Sequence, residues 1–197
     1  MSFYGTALLG NVVQFGVSDV GDEVRALVVP EVELDAYDVG PSTKRVVYGD
    51  EPADPSVSYF ERDVWSENPT EPPDRIDADG PLLQTPESTY THEDGLVAAA
   101  AIVETHGLEA GNEVAVRGSI TDPDVSVSGL VGPVLAGGAV VLGPDSNGDL
   151  ASVAGLPVEP VGEVFELQRT TVVGCVGFTD SNDDPLAVVV TIPAARH

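Results

Sequence analysis

Positive charge is what this chain has least of. Its 197 residues include eight Lys plus Arg against thirty-three Asp plus Glu, for a formal net charge of −25, and Lys44 is the single lysine. The seven arginines are dispersed, and Lys44-Arg45 is the only adjacent basic pair. With no basic stripe to neutralise phosphates, the sequence argues against nucleic-acid binding. Cysteine is equally scarce. Cys175 stands alone, so neither an internal disulfide nor a CxxC site is available, and its apolar surroundings in 171–178 read as those of a buried structural thiol. The N-terminal stretch MSFYGTALLG is apolar but has no positive n-region and no small-residue cleavage site. No apolar run approaches the roughly 20 residues of a membrane span. The expectation is a soluble, cytoplasmic protein that engages no membrane.

What is present is an apolar chain, 42% hydrophobic and rich in Val and Ala, with acids scattered through it. That content argues for a folded core in spite of the charge. An acidic, lysine-poor, folded composition points to a halophilic cytoplasm, where concentrated salt screens repulsion to within about 3 Å at 1 M. Most carboxylates are thereby explained without chemistry. A catalytic acid has to be argued from spacing.

Along the chain, residues 3–15 suit a small-residue helix. The runs 25–29 and 45–48 read as buried strands. Residues 50–80 carry many acids and Pro52, Pro55, Pro69, Pro72 and Pro73. They read as a linker loop with one short helix near 59–65. Leu82-Leu83 is a short apolar piece. Thr91-His92-Glu93-Asp94 fits a capping box, with Thr91 as N-cap. Leu96, Ala99, Ala100 and Val103 then recur at helical spacing until Gly107. Residues 113–116 read as a strand, 126–135 as an apolar helix capped by Gly137-Gly138, and 139–142 as another strand. Beyond them, 165–178 and 186–192 are β-branched runs flanking a polar stretch, the pattern of an antiparallel hairpin. The expected fold class is α/β: a layered, mostly parallel sheet flanked by helices, with a C-terminal antiparallel β-hairpin. The expected division is an α/β core over 1–144, holding the 50–80 linker, and a β-rich extension over 145–197.

Residues 82–144 carry a resemblance. LLQTPESTYTHEDGLVAAAAIVETHGLEAGNEVAV followed by SGLVGPVLAGGAVVLGP resembles the core of the adenylate-forming (AMP-binding, acyl-CoA synthetase-like) superfamily. Thr91-His92 with Leu96 is similar to that family's helix start. Residues 111–116 are similar to its following strand and 129–142 to its helix–strand unit. With VRALVV and KRVVYGDE upstream, the resemblance covers residues 3–144, part of the family's N-terminal subdomain. It implies Thr91 and His92 as binding residues.

The departures are at the chemistry. The family's phosphate loop would lie between Leu83 and Thr91, where only QTPESTY stands. That segment lacks the glycines and lysine an anion cradle needs, and Glu87 would repel a triphosphate. Asp122-Pro123-Asp124 replaces the family's aromatic patch. No later ribose-binding aspartate or catalytic lysine is recognised.

Other candidates have structural readings. His106 suits a helix C-terminus, His197 is terminal, and with Cys175 these dispersed side chains form no transition-metal cluster. Asp180, Asn182, Asp183 and Asp184 lack calcium-hand spacing and read as a solvated turn, as does Asp145-Ser146-Asn147-Gly148-Asp149. No G-x-S-x-G occurs, and Ser128 has no identifiable base. The expected function is that of a non-catalytic, degenerate relative of the synthetases, a pseudoenzyme acting as a binding or interaction module. It has no catalytic residue, no metal and no cofactor. Its partners would be a second copy, through a sheet edge, or a full-length synthetase. The alternative is an acyl or carboxylate adenylating ligase with an altered phosphate site or a completing partner chain, using ATP/AMP or acyl-CoA.

Overall fold

The computed structural model describes residues 2–66, 76–143, 148–153, 156–160 and 188–191. In chain order its elements are α1 (Ser2–Leu8), β1 (Val12–Phe15), β2 (Val24–Pro30), a 3-10 turn (Glu31–Ala36), β3 (Lys44–Tyr48), β4 (Ser58–Tyr59), α2 (Phe60–Ser66), β5 (Pro81–Gln84) and β6 (Thr89–Thr91). There follow α3 (His92–His106), β7 (Glu113–Val116), α4 (Pro123–Ser126), a π-helical turn (Val127–Val131), α5 (Gly132–Leu135), β8 (Ala139–Val141), β9 (Leu150–Val153), β10 (Leu156–Pro160) and β11 (Val188–Thr191). The fold is mixed α/β. It divides into two units, Met1–His92 with Pro185–His197, and Glu93–Asp184. The boundary expected after residue 144 falls inside the second unit.

The first unit is built on a seven-stranded sheet ordered β4-β3-β2-β11-β1-β5-β6. Three neighbouring pairs are parallel, β1–β5, β2–β3 and β3–β4, and three are antiparallel, β1–β11, β11–β2 and β5–β6. The sheet is therefore mixed, not mostly parallel. Its position in the chain order explains why: β11 returns from the far C-terminal region and enters antiparallel between β2 and β1. The continuous apolar run LAVVVTI around it is the pattern of a central strand. Because β1 and β2 occupy both of its edges, β11 does not have the pairing expected of a C-terminal hairpin arm. The other expected arm, 165–178, lies outside the described residues.

Packing on this sheet follows its β-branched content. Val24, Leu27, Val29, Val47 and Val57 form a buried cluster, with Val17, Val20, Leu34, Tyr37, Val39 and Tyr59 against it. Each such aliphatic side chain, fully buried, contributes about 1.5–3 kcal/mol. The segment expected as one helix over 3–15 is instead α1 followed by β1. Gly10 adopts φ +69°, and Asn11 N donates to Thr6 O (3.1 Å) while Gly10 N donates to Ala7 O (2.9 Å). This paired C-terminal cap ends the helix and frees Val12, Val13 and Phe15 for the sheet. Phe3 then stacks on Phe15, with ring centroids 5.9 Å apart.

The second unit holds a four-stranded sheet ordered β10-β9-β7-β8. β7 is parallel to β8 and β9, and β9 pairs antiparallel with β10. The hairpin β9–β10 was not expected in this Gly- and Pro-punctuated stretch. The apolar helix expected over 126–135 begins earlier, at Pro123. Asp122 caps it, its carboxylate accepting from Asp124 N at 2.9 Å, and proline suits the first helical position. It is interrupted by the π-helical turn, where Gly129 lies against the sheet. A Cβ there would stand 2.8 Å from Val116 Cγ2 and 3.3 Å from Ser152 Cβ. The helix ends as expected at Gly137-Gly138: Gly138 N donates to Pro133 O (2.7 Å) and Gly137 N to Val134 O (3.1 Å).

Candidate functional site

The segment that would hold a phosphate in the resembling family is a closed hairpin turn. β5 and β6 pair in antiparallel register, with Gln84 opposite Thr89, so only Thr85-Pro86-Glu87-Ser88 make the connection. Thr85 N donates to Ser88 O at 2.8 Å, and Ser88 N donates to the Thr85 hydroxyl at 3.1 Å. Proline at 86 has no N–H to offer. Of the four connecting residues, Glu87 alone keeps a backbone N–H outside these bonds, beside its own carboxylate. An anion cradle needs several N–H groups converging on one point, and this turn spends its donors on its own closure.

Thr91 and His92 stand where the capping pattern places them, at the end of β6 and the first residue of α3. His92 N donates to Gly80 O at 2.9 Å, which ties the helix start to the residue before β5. The imidazole is 9% exposed, and its Nε2 is buried without a hydrogen-bond partner. Burial pushes its pKa below 6.5, because the charged form would lose hydration. His92 is a neutral, packed side chain near neutral pH. The capping pattern places it at a helix start, and the signal that it would be buried there is absent from the sequence.

His106 is the last residue of α3, and Gly107 (φ +61°) follows with Leu108 N donating to Val103 O at 3.0 Å. Ser128, set aside for want of a base, is fully buried and donates to Asp124 O at 2.7 Å. Its hydroxyl also shares a 2.5 Å hydrogen bond with Ser152. A fully buried Ser126 donates to Ile120 O at 2.6 Å. Ser128 and Ser152 satisfy one another, and all three serines engage backbone carbonyls, where helix and sheet approach closely. Ser126 and Ser152 carried no sequence signal, since serine is usually a surface residue. Asp149, expected as part of a solvated turn, accepts from Glu113 N at 3.0 Å and thereby fixes the start of β7. His197, Cys175, Asp180, Asn182, Asp183, Asp184, Asp145, Ser146 and Asn147 lie outside the described residues.

Among the described residues, the densest charged constellation is one the sequence did not single out. Arg45 reaches Asp54 (3.2 Å) and Ser56 (2.8 Å). Arg62 reaches Asp63 (2.8 Å) and Glu51 (3.3 Å), and its guanidinium lies 6.0 Å from the Tyr59 ring centroid. Hydrogen bonds from Ser56, reinforced by Arg45, hold the Asp54 carboxyl below its ordinary pKa. The Arg62 hydrogen bond does the same to Asp63. Gly49 N donates to Glu61 Oε1 (2.8 Å), and the Tyr59 hydroxyl donates to Gly49 O (2.9 Å). These bonds lash the loop after β3 to α2. They form an exposed brace, in which individual ion pairs contribute about 0–1 kcal/mol.

Among the described residues, no group of three or more His, Cys, Asp or Glu is placed to hold a metal ion, and no helix is long and apolar enough to cross a membrane. No protein-family model matches this chain, and no curated protein or solved structure matches it either.

Proposed function

We propose that this protein is a non-catalytic binding or interaction module of a salt-rich cytoplasm, related to the N-terminal subdomain of the adenylate-forming synthetases and without their phosphate chemistry. The observation that carries the reading is the 85–88 turn, whose backbone donors close the hairpin and whose side chains supply a carboxylate where the reaction needs positive charge. Thr91 and His92 lie where β6 gives way to α3, and burial of the His92 ring favours packing over the ligand contact that the resemblance implies. The partners proposed for such a module are a second copy or a full-length synthetase.

Thermal-shift and pyrophosphate-exchange measurements with ATP, AMP and acyl-CoA in molar KCl test this reading. The expected outcome is no ligand-dependent shift and no exchange. A saturable nucleotide shift together with exchange would replace it with the adenylating-ligase alternative.

A further inference from the structure

α3 carries Leu96, Ala99, Ala100 and Val103 at helical spacing, the pattern of one apolar face. It buries a different stripe. Gly95 and Ala99 are buried and Ile102, Val103 and His106 are half-buried, whereas Leu96, Val97, Ala98, Ala100 and Ala101 are exposed. Leu96 is 50% and Val97 64% accessible. At 100° per residue, Val97 and Ala101 sit near the middle of the outward face, with Ala100 beside them. Glu93 lies one turn before Val97, and Glu104 one turn beyond Ala100. Both are exposed. The outer surface of this helix is thus an apolar centre bracketed by carboxylates, with no Lys or Arg on α3 itself.

A solvated helix ordinarily puts polar residues outward, and this chain has acids to spend, so an outward apolar centre needs an occupant. Charge selects among the candidates. Residues 93–184 contain two cations, Arg117 and Arg169, against fifteen Asp plus Glu. A second copy laid on this face would set its own Glu93 and Glu104 against these at contact range, where concentrated salt does not screen them. Size points the same way. A 15-residue helix is about 22 Å long at 1.5 Å per residue, and one such face falls short of the 1,200–2,000 Å² or so that a stable dimer buries. It suits an amphipathic helix laid along it, with an apolar stripe over Val97 and Ala101 and Lys or Arg reaching Glu93 and Glu104.

We infer that the outer face of α3 docks a cationic amphipathic helix of a partner protein. The inference rests on the interaction-module reading of the chain. It names a partner chemistry for that reading.

The test uses the full chain and two synthetic peptides of about 18 residues, one Leu/Lys peptide with an amphipathic helical pattern and one scrambled peptide of the same composition. Equal charge makes non-specific attraction to the acidic surface common to both. Fluorescence anisotropy at about 1 M KCl, the salt of the nucleotide assays, should show the patterned peptide binding at least about tenfold more tightly. Val97→Asp with Ala101→Asp, both at exposed positions, should reduce that preference to below about threefold. Glu93→Lys with Glu104→Lys, which leaves the apolar centre intact, should weaken the patterned peptide and serves as the second variant if the first alters folding. Equal affinity for both peptides, or a preference that neither double variant moves, overturns the inference. So does a dimer in sedimentation velocity that Val97→Asp dissociates, because the occupant is then a second copy. Failure of any arm leaves the nucleotide assays untouched, so this inference and the underlying reading fail separately.

Discussion

At Gly129 the absent side chain is the interaction. A Cβ would meet Val116 Cγ2 at 2.8 Å and Ser152 Cβ at 3.3 Å, and Val116 is a β-branched residue in a strand with little freedom to withdraw. Gly129→Ala should therefore destabilise by about 1–3 kcal/mol through overpacking. Three residues on, Gly132 has helical dihedrals, and the nearest atom to its added Cβ, Val127 O, is 3.6 Å away. Gly132→Ala should be neutral or stabilise by up to about 1 kcal/mol, since alanine costs less backbone entropy in a helix. Urea denaturation of the two variants should move the midpoint in opposite directions or move only the first. At His92 the same scale yields a pH dependence. Burial lowers the folded-state pKa below the 6.5 of the free side chain, so the unfolded chain binds the proton more readily. As pH falls below 6.5, unfolding takes up a proton and stability is lost, until the folded-state pKa is also passed. Above 6.5 both states are neutral and the contribution is complete. In His92→Gln the stability difference between pH values above and below that window should shrink relative to the parent. Equal pH dependence in both proteins would show that the ring is solvated.

Among elements, the pairing of β7 with β9 depends on a side chain that looked like loop decoration. The Asp149 carboxylate accepts from Glu113 N, and a Cβ at the preceding Gly148 would stand 2.5 Å from Glu113 O. Asp149→Ala should cost about 0.5–1.5 kcal/mol and accelerate amide exchange at Glu113 more than at Val114, which hydrogen-exchange NMR resolves. β2, β3, α2, α3, β7 and β8 were legible in the sequence because local signals decide them: β-branched runs, a capping pattern before His92, and glycines at 107 and 137 that terminate helices. What was illegible is set at long range. No local pattern distinguishes a hairpin arm from the central strand that β11 becomes, since its paired residues lie 160 or more positions upstream. The outward turn of Leu96 and Val97 was hidden for a related reason. α3 is apolar almost all round, so its periodicity does not say which stripe is buried. The 85–88 connection carries no glycine or lysine in the sequence, and in the structure the Thr85 and Ser88 backbone donors close the turn itself.

Over the whole molecule, the charge is shared evenly between the two units. Residues 1–92 with 185–197 hold six Lys plus Arg against eighteen Asp plus Glu, net −12, and residues 93–184 hold two against fifteen, net −13. Three of the eight cations, Lys44, Arg45 and Arg62, belong to the region of the brace around β3 and α2, where Arg45 and Arg62 each engage a carboxylate. The second unit has almost no internal means of neutralisation, so its stability should lean most on screening by the solvent. Raising KCl from about 0.1 M to about 1 M shortens the Debye length from about 10 Å to about 3 Å, which removes repulsion between all but adjacent acids. The urea midpoint should therefore rise with KCl, and native-state amide exchange should slow more in β7 and β8 than in β2 and β3. The contrast matters more than the rise alone, because salt also strengthens apolar burial without regard to charge. A uniform gain across both units would trace to burial. A gain concentrated in the unit with two cations would trace to the acids, and would support the reading of this composition as an adaptation to concentrated salt.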